Sequence, residues 1–194
     1  MKRDADRYRD NWRKIAADHA ALLIVPEFTA AMWPKAWGYN LGNMQTPSGR
    51  SIPRKSWSFT ALEKAFDAAG AIAGSRREKY VLYGHSAGAQ FVHRFITFTG
   101  APRVERAVAA NAGWYTLPIT TMAFPYGLET VQIESETLQQ AFATKLTILL
   151  GEEDTAPNGR ALRRTPEALM QGPHRFARGQ YYIVTAQRAA EPSG

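Results

Sequence analysis

The stretch YVLYGHSAGAQFVHRF, residues 80–95, limits the possible folds more than any other part of this chain. An apolar run rich in tyrosine ends at Gly84, and a helical pattern begins within two residues. Between them lies GHSAG, residues 84–88, which matches G-x-S-x-G. In that pattern a strand turns sharply into a helix, and the central serine takes a strained backbone conformation. Strand and helix then pass so closely that the positions two before and two after the serine must be small, as Gly84 and Gly88 are. Ser86 would project at the helix start, where backbone N–H groups and the helix dipole favour an oxyanion. The N–H of Ala87 is the expected donor. A tight turn with an incidental serine would need the same glycines. The surrounding pattern favours the nucleophile: Phe91, Val92, Phe95 and Ile96 form a buried side, and Gln90, His93, Arg94 and Thr97 a polar one.

The rest of the chain alternates helices with strands. Residues 4–20 read as a helix with Tyr8, Trp12, Ile15 and Ala16 on one stripe, and residues 21–28 as a strand without alternation. Residues 29–59 form a long loop in which Trp33, Trp37, Tyr39 and Trp57 are expected to pack the loop itself. Thr60 with Glu63 has the form of a capping box for a helix whose apolar face is Leu62, Ala65, Phe66, Ala69 and Ile72. A strand at 79–84, a helix at about 86–98 and a strand at 104–110 follow. Residues 111–143 read as an insertion over the sheet, and 145–150 as a strand. Thr165-Pro166 starts a helix, Gly172-Pro173 breaks it, and a second helix runs to about 189. This order implies one α/β domain over residues 1–194, a largely parallel sheet buried on both faces, and function at the carboxyl ends of its strands.

Composition removes several classes. The chain has no cysteine, which excludes disulfides and thiolate chemistry. The histidines are scattered and the acids lack ligand spacing, so no metal site and no cofactor are expected. The net charge is +7, but arginines are spread from Arg3 to Arg188 and no recognition motif accompanies them. A solvated basic surface is the better account, and no nucleic-acid partner is expected. No apolar run approaches the about 18 residues of a membrane helix. The N-terminus MKRDADRYRDNWRK has no apolar core of a signal peptide, so the chain as given favours the cytoplasm.

Three stretches, YVLYGHSAGAQFVHRF, NAGWYTLP at 111–118 and LLGEEDTAPN at 149–158, resemble the α/β-hydrolase superfamily. They resemble in particular its bacterial esterase-like members related to polyhydroxybutyrate depolymerases and dienelactone hydrolases. The resemblance implies a serine, acid and histidine in that chain order. It places the acid just past a strand, as G, two residues, then Asp; this selects Asp154, with Glu152 and Glu153 nearer the strand end. The acid would fix the histidine's tautomer and stabilise imidazolium.

The histidine is not assigned. His19 precedes the first strand, His85 is the variable residue of the turn, and His93 lies on the polar side of the next helix. His174 alone follows Asp154, at the start of a helix. By resemblance the histidine belongs on a loop after one further strand, whereas AAEPSG follows the last helix directly. Resemblance also makes the N–H of Met1 or Lys2 the second oxyanion donor. The expectation is an α/β-hydrolase-type sheet of four strands, incomplete at both ends against the superfamily's eight.

Trp114 and Tyr115 would stand at the carboxyl edge near Ser86, either lining a substrate pocket or packing the insertion. The expected function is a serine hydrolase that cleaves small or polymeric carboxylic esters through an acyl-enzyme. The alternative is a non-catalytic or truncated protein of the same fold.

Overall fold

A computed structural model describes residues 3–159 and 161–191 of the 194. It divides into two compact units between Arg77 and Glu78. The first holds α1 (Ala5–Asp18), a short α2 (Lys35–Gly38), a 3-10 turn (Arg54–Ser56) and α3 (Ser58–Ala73). α1 buries no residue and carries surface ion pairs such as Arg9–Asp6 and Lys14–Asp18. The strand expected over 21–28 is absent: these residues join no ladder. Where the segment ends, Arg3 supplies the donors instead, giving hydrogen bonds to the carbonyls of Phe28 at 2.6 Å and Thr29 at 2.9 Å. Phe28 packs its ring on Trp33 and Tyr39.

α3 begins two residues before the expected cap. Thr60 does not cap it, because its hydroxyl donates to the Arg54 carbonyl. The helix ends at Gly74, whose φ of 62° is the left-handed geometry that glycine tolerates best. Of the expected apolar face, Leu62 is buried while Ile72, in the last turn, is exposed.

The second unit holds β1 (Tyr80–His85), α4 (Ala87–Thr99), β2 (Val104–Ala110), α5 (Ser135–Ala143), β3 (Leu146–Leu149), α6 (Pro166–Met170) and α7 (Arg175–Ala190). The three strands form one parallel sheet in the order β1-β2-β3. Register sets His85 beside Ala110 and Ala110 beside Leu149, so all three carboxyl ends meet at one edge. Burial alternates along β1: Leu82 and Gly84 are more covered than Val81, Tyr83 and His85. Val81 (63%), Tyr83 (38%) and Leu149 (49%) are exposed, so those alternate positions stay open where both faces were expected to be covered.

α4 departs furthest from its sequence reading. Its expected polar side is buried: His93 and Arg94 are fully enclosed, and Gln90 and Thr97 nearly so. The cause is a distant segment that folds onto this side and supplies polar partners. Thr116 accepts from Arg94 Nε at 2.7 Å, and its N–H donates to His93 Nε2 at 3.1 Å. Phe124 packs edge-on against Phe98 of the same helix. A polar helix face can be buried when each group finds such a partner.

Candidate active site

Ser86 stands between β1 and α4 with φ 55° and ψ −109°, a conformation that costs a non-glycine residue about 1–3 kcal/mol. Three features hold it there. Its N–H donates to the Ala110 carbonyl at 2.8 Å, which ties the turn to the end of β2. Its carbonyl accepts from Gln90 N at 3.1 Å, starting α4. A Cβ at Gly84 would lie 2.3 Å from the Gly88 carbonyl oxygen and 2.7 Å from a Val92 methyl, so no larger residue fits without backbone movement. The serine is solvent-exposed, at the N-terminal end of a 13-residue helix. Ala87, the expected oxyanion donor, is the first residue of that helix. Met1, the expected second donor, lies outside the described residues.

The sheet edge next carries Asp154, the expected acid. Asn111, with φ 52°, donates its N–H to the Leu149 carbonyl at 2.9 Å and accepts the Gly151 N–H on Oδ1 at 2.7 Å. Consecutive residues 110 and 111 thus bind the serine turn on one side and the acid's loop on the other. Asp154 closes that loop with an N–H to the Gly151 carbonyl at 3.0 Å. Its carboxylate meets Arg175 Nη1 at 2.9 Å, and its own carbonyl accepts from Phe176 N at 3.3 Å. Side chain and main chain of Asp154 are both fastened to the first turn of α7. Arg164 holds the far side of the loop at Pro157 and Asn158.

Two of the four histidines are bonded elsewhere. His93 donates from Nδ1 to the Ala89 carbonyl at 3.0 Å and accepts from Thr116 N on Nε2, a neutral tautomer fixed by its partners. Burial, then the neighbouring Arg94 charge, holds its pKa well below the ordinary value. His174 caps α7, its Nδ1 accepting from Ala177 N at 3.2 Å. His19 follows α1, in the first unit. His85 is exposed at the end of β1. Among the described residues, no histidine bonds to Ser86 or Asp154.

Trp114 and Tyr115 are buried by packing contacts. The guanidinium groups of Arg94 and Arg163 lie over the Trp114 ring, 4.2 Å and 4.7 Å from its centroid. Tyr115 stacks on Tyr182 with centroids 4.5 Å apart, and Gln171 bonds both its N–H and its carbonyl. Sequence reasoning missed Asn111 and Arg175. Asn directly after a strand is one available signal, because it tolerates positive φ; nothing in the sequence marks Arg175.

Grooves of about 510 Å³ and 220 Å³ lie elsewhere, the first lined by Leu128, Val131 and Ile133 and the second by Trp37 and Ile52. Among the described residues, no helix is long and apolar enough to cross a membrane, and no group of three acids or histidines is placed to hold a metal.

No protein-family model matches the sequence, and no curated protein matches it. Solved structures do. Poly(aspartic acid) hydrolase-1 from Sphingomonas sp. KT-1 is 42% identical with a TM-score of 0.93, over 97% of this chain and 71% of that one. LpqC, a poly(3-hydroxybutyrate) depolymerase from Bordetella parapertussis, is 36% identical with a TM-score of 0.91, over 98% of this chain and 64% of that one. The parallel sheet, its crossover helix and these similarities agree: the chain belongs to the α/β-hydrolase superfamily, among its esterase- and depolymerase-like members.

Proposed function

We propose that this chain is a serine hydrolase of carboxylic-acid derivatives, with Ser86 as nucleophile and an ester, small or polymeric, as substrate. The observation that carries the reading is the backbone of Ser86 itself. A φ of 55° is held by the Ala110 hydrogen bond and by a Gly84–Gly88 contact too close for any side chain. Strain of this kind is kept where it serves a site. The similar proteins support the reaction class, since one is titled a hydrolase of poly(aspartic acid) and the other a depolymerase of poly(3-hydroxybutyrate).

In the reaction, Ser86 Oγ attacks the acyl carbonyl and its proton passes to a base. The Ala87 N–H stabilises the oxyanion, the alcohol leaves with a proton, and water releases the acid from the acyl-serine. Asp154 would orient and stabilise the base. Both ring nitrogens of His93 bond to backbone groups and Nδ1 of His174 accepts from Ala177 N, so neither bonds to Ser86 or Asp154 in this arrangement.

One observation favours a second reading, a non-catalytic protein of the same fold: the Asp154 carboxylate is held by an arginine, with no histidine on it. Turnover of a short-chain activated ester and of poly(3-hydroxybutyrate), compared with Ser86→Ala, separates the two. Serine-dependent hydrolysis supports the enzyme. A rate identical in wild type and Ser86→Ala supports the second reading.

A further inference from the structure

The loop that carries Asp154 also holds an Asn-Gly pair, Asn158-Gly159. None of the other asparagines, Asn11, Asn40, Asn43 and Asn111, is followed by glycine. Asparagine is thermolabile because the next residue's main-chain nitrogen can reach its side-chain carbonyl carbon, an intramolecular attack that closes a ring. A side chain on that next residue crowds the approach, and glycine leaves it open. Here the fold leaves the electrophile accessible: Asn158 is exposed, as are Thr155, Ala156 and Pro157 before it. The Gly159 N–H donates to the Ala156 carbonyl at 3.3 Å, longer than the usual range for such a bond. The Gly159 carbonyl accepts from Leu162 N at 3.1 Å, which holds the pair from its far side.

Two guanidinium groups border the pair. Arg164 Nη2 donates to Asn158 Oδ1 at 3.0 Å and to the Pro157 carbonyl at 3.0 Å. A cation on Oδ1 draws electrons from Cγ and stands where negative charge develops when a nucleophile adds there. Among the described residues no carboxylate pairs with Arg164, so its acceptors in the loop are neutral oxygens. On the nucleophile's side, a methyl group at Gly159 would lie 3.7 Å from Arg175 Nη1, the group that also meets Asp154. Positive charge beside the Gly159 amide favours the form that has lost its proton.

We propose that Asn158 is a site of covalent self-modification, in which the chain deamidates at Asn158-Gly159 with Arg164 as the activating group. Gly159 N gives its proton to solvent base and attacks Asn158 Cγ. The new C–N bond closes a cyclic imide, the bond from Cγ to Nδ2 breaks, and ammonia leaves with a proton taken from water. Water then opens the imide at one of its two carbonyls, giving either aspartate or isoaspartate. One water is consumed and one ammonia released, and nothing is oxidised. Both products carry a carboxylate where Arg164 now meets a neutral amide, a charge-assisted pair in place of a weaker bond. The isoaspartyl product also lengthens the main chain between Asp154 and α6 by a methylene group. The loop of the expected acid thus holds a slow, one-way change of charge and length, whichever residue is the nucleophile.

The test is to incubate the folded chain at mildly alkaline pH and follow each asparagine by peptide mass spectrometry, with isoaspartate read by enzymatic methylation. Asn158 should convert before Asn11, Asn40, Asn43 and Asn111. Arg164→Gln should slow the conversion at least about threefold, the scale of an exposed charged contact, and Arg164→Lys should slow it less. The new methyl of Gly159→Ala meets nothing closer than the Ala156 carbonyl oxygen at 3.4 Å, so this variant keeps the fold and should lose most of the conversion. The free peptide TAPNGRAL, residues 155–162, gives the rate without Arg164 and Arg175. An Asn158 that stays intact in the folded chain after that peptide has converted would overturn the site. A rate in Arg164→Gln equal to or above that of wild type would overturn the role of Arg164.

Discussion

Arg175 clamps Asp154: Nη1 lies 2.9 Å from Oδ1, with the two side chains only 21% and 27% exposed. The next residue, Phe176, bonds the Asp154 carbonyl, so α7 holds the acid by side chain and main chain together. Asp154→Asn keeps the shape and discards the charge. If Asp154 orients the base, this variant should lower kcat about three to four orders of magnitude with little change in KM. The same loss in Glu153→Gln, with Asp154→Asn active, would move the acid by one residue.

His93 makes stability depend on pH. Its folded pKa is depressed by burial and by Arg94, while the unfolded chain titrates near about 6.5. Below that value the unfolded state binds a proton that the folded state refuses. The His93 contribution is therefore complete above about pH 6.5 and falls with pH toward the folded pKa, by up to about 1.4 kcal/mol per unit. Urea unfolding at pH 7.5 and 5.5 should show a larger loss for wild type than for His93→Gln. Equal losses would mean that His93 is protonated in the fold.

The turn stores strain that a glycine releases. Ser86→Gly should be about 1 kcal/mol more stable than Ser86→Ala, because both remove the hydroxyl but only glycine accepts φ 55° at low cost. Gly84→Ala should lose about 3 kcal/mol or fail to fold, since the new methyl meets backbone on the opposite side. Chemical denaturation of the three variants tests both statements; equal stability of Ser86→Gly and Ser86→Ala would remove the strain argument.

Legibility in the sequence followed locality. β1, the turn and α4 were readable because spacing within 16 residues sets them, and Thr165 caps α6 where Thr165-Pro166 announced it. The run 21–28 was not, because hydrophobicity gives a strand its faces but not a neighbour to pair with. The polar side of α4 was misread for a related reason. Periodicity separates apolar from polar positions, whereas the burial of Arg94 and His93 depends on Thr116, more than 20 residues away. The site splits the same way: Ser86 and Gly84 declare themselves by spacing, while Arg175 meets Asp154 only through the placement of α7.

The nucleophile is tested most directly by reacting the chain with a fluorophosphonate probe and mapping the adduct by peptide mass spectrometry, with Ser86→Ala alongside. The account predicts a single adduct on Ser86, absent from Ser86→Ala and reduced in rate in Asp154→Asn. An adduct on another serine, or a folded wild type that stays unlabelled, would contradict it.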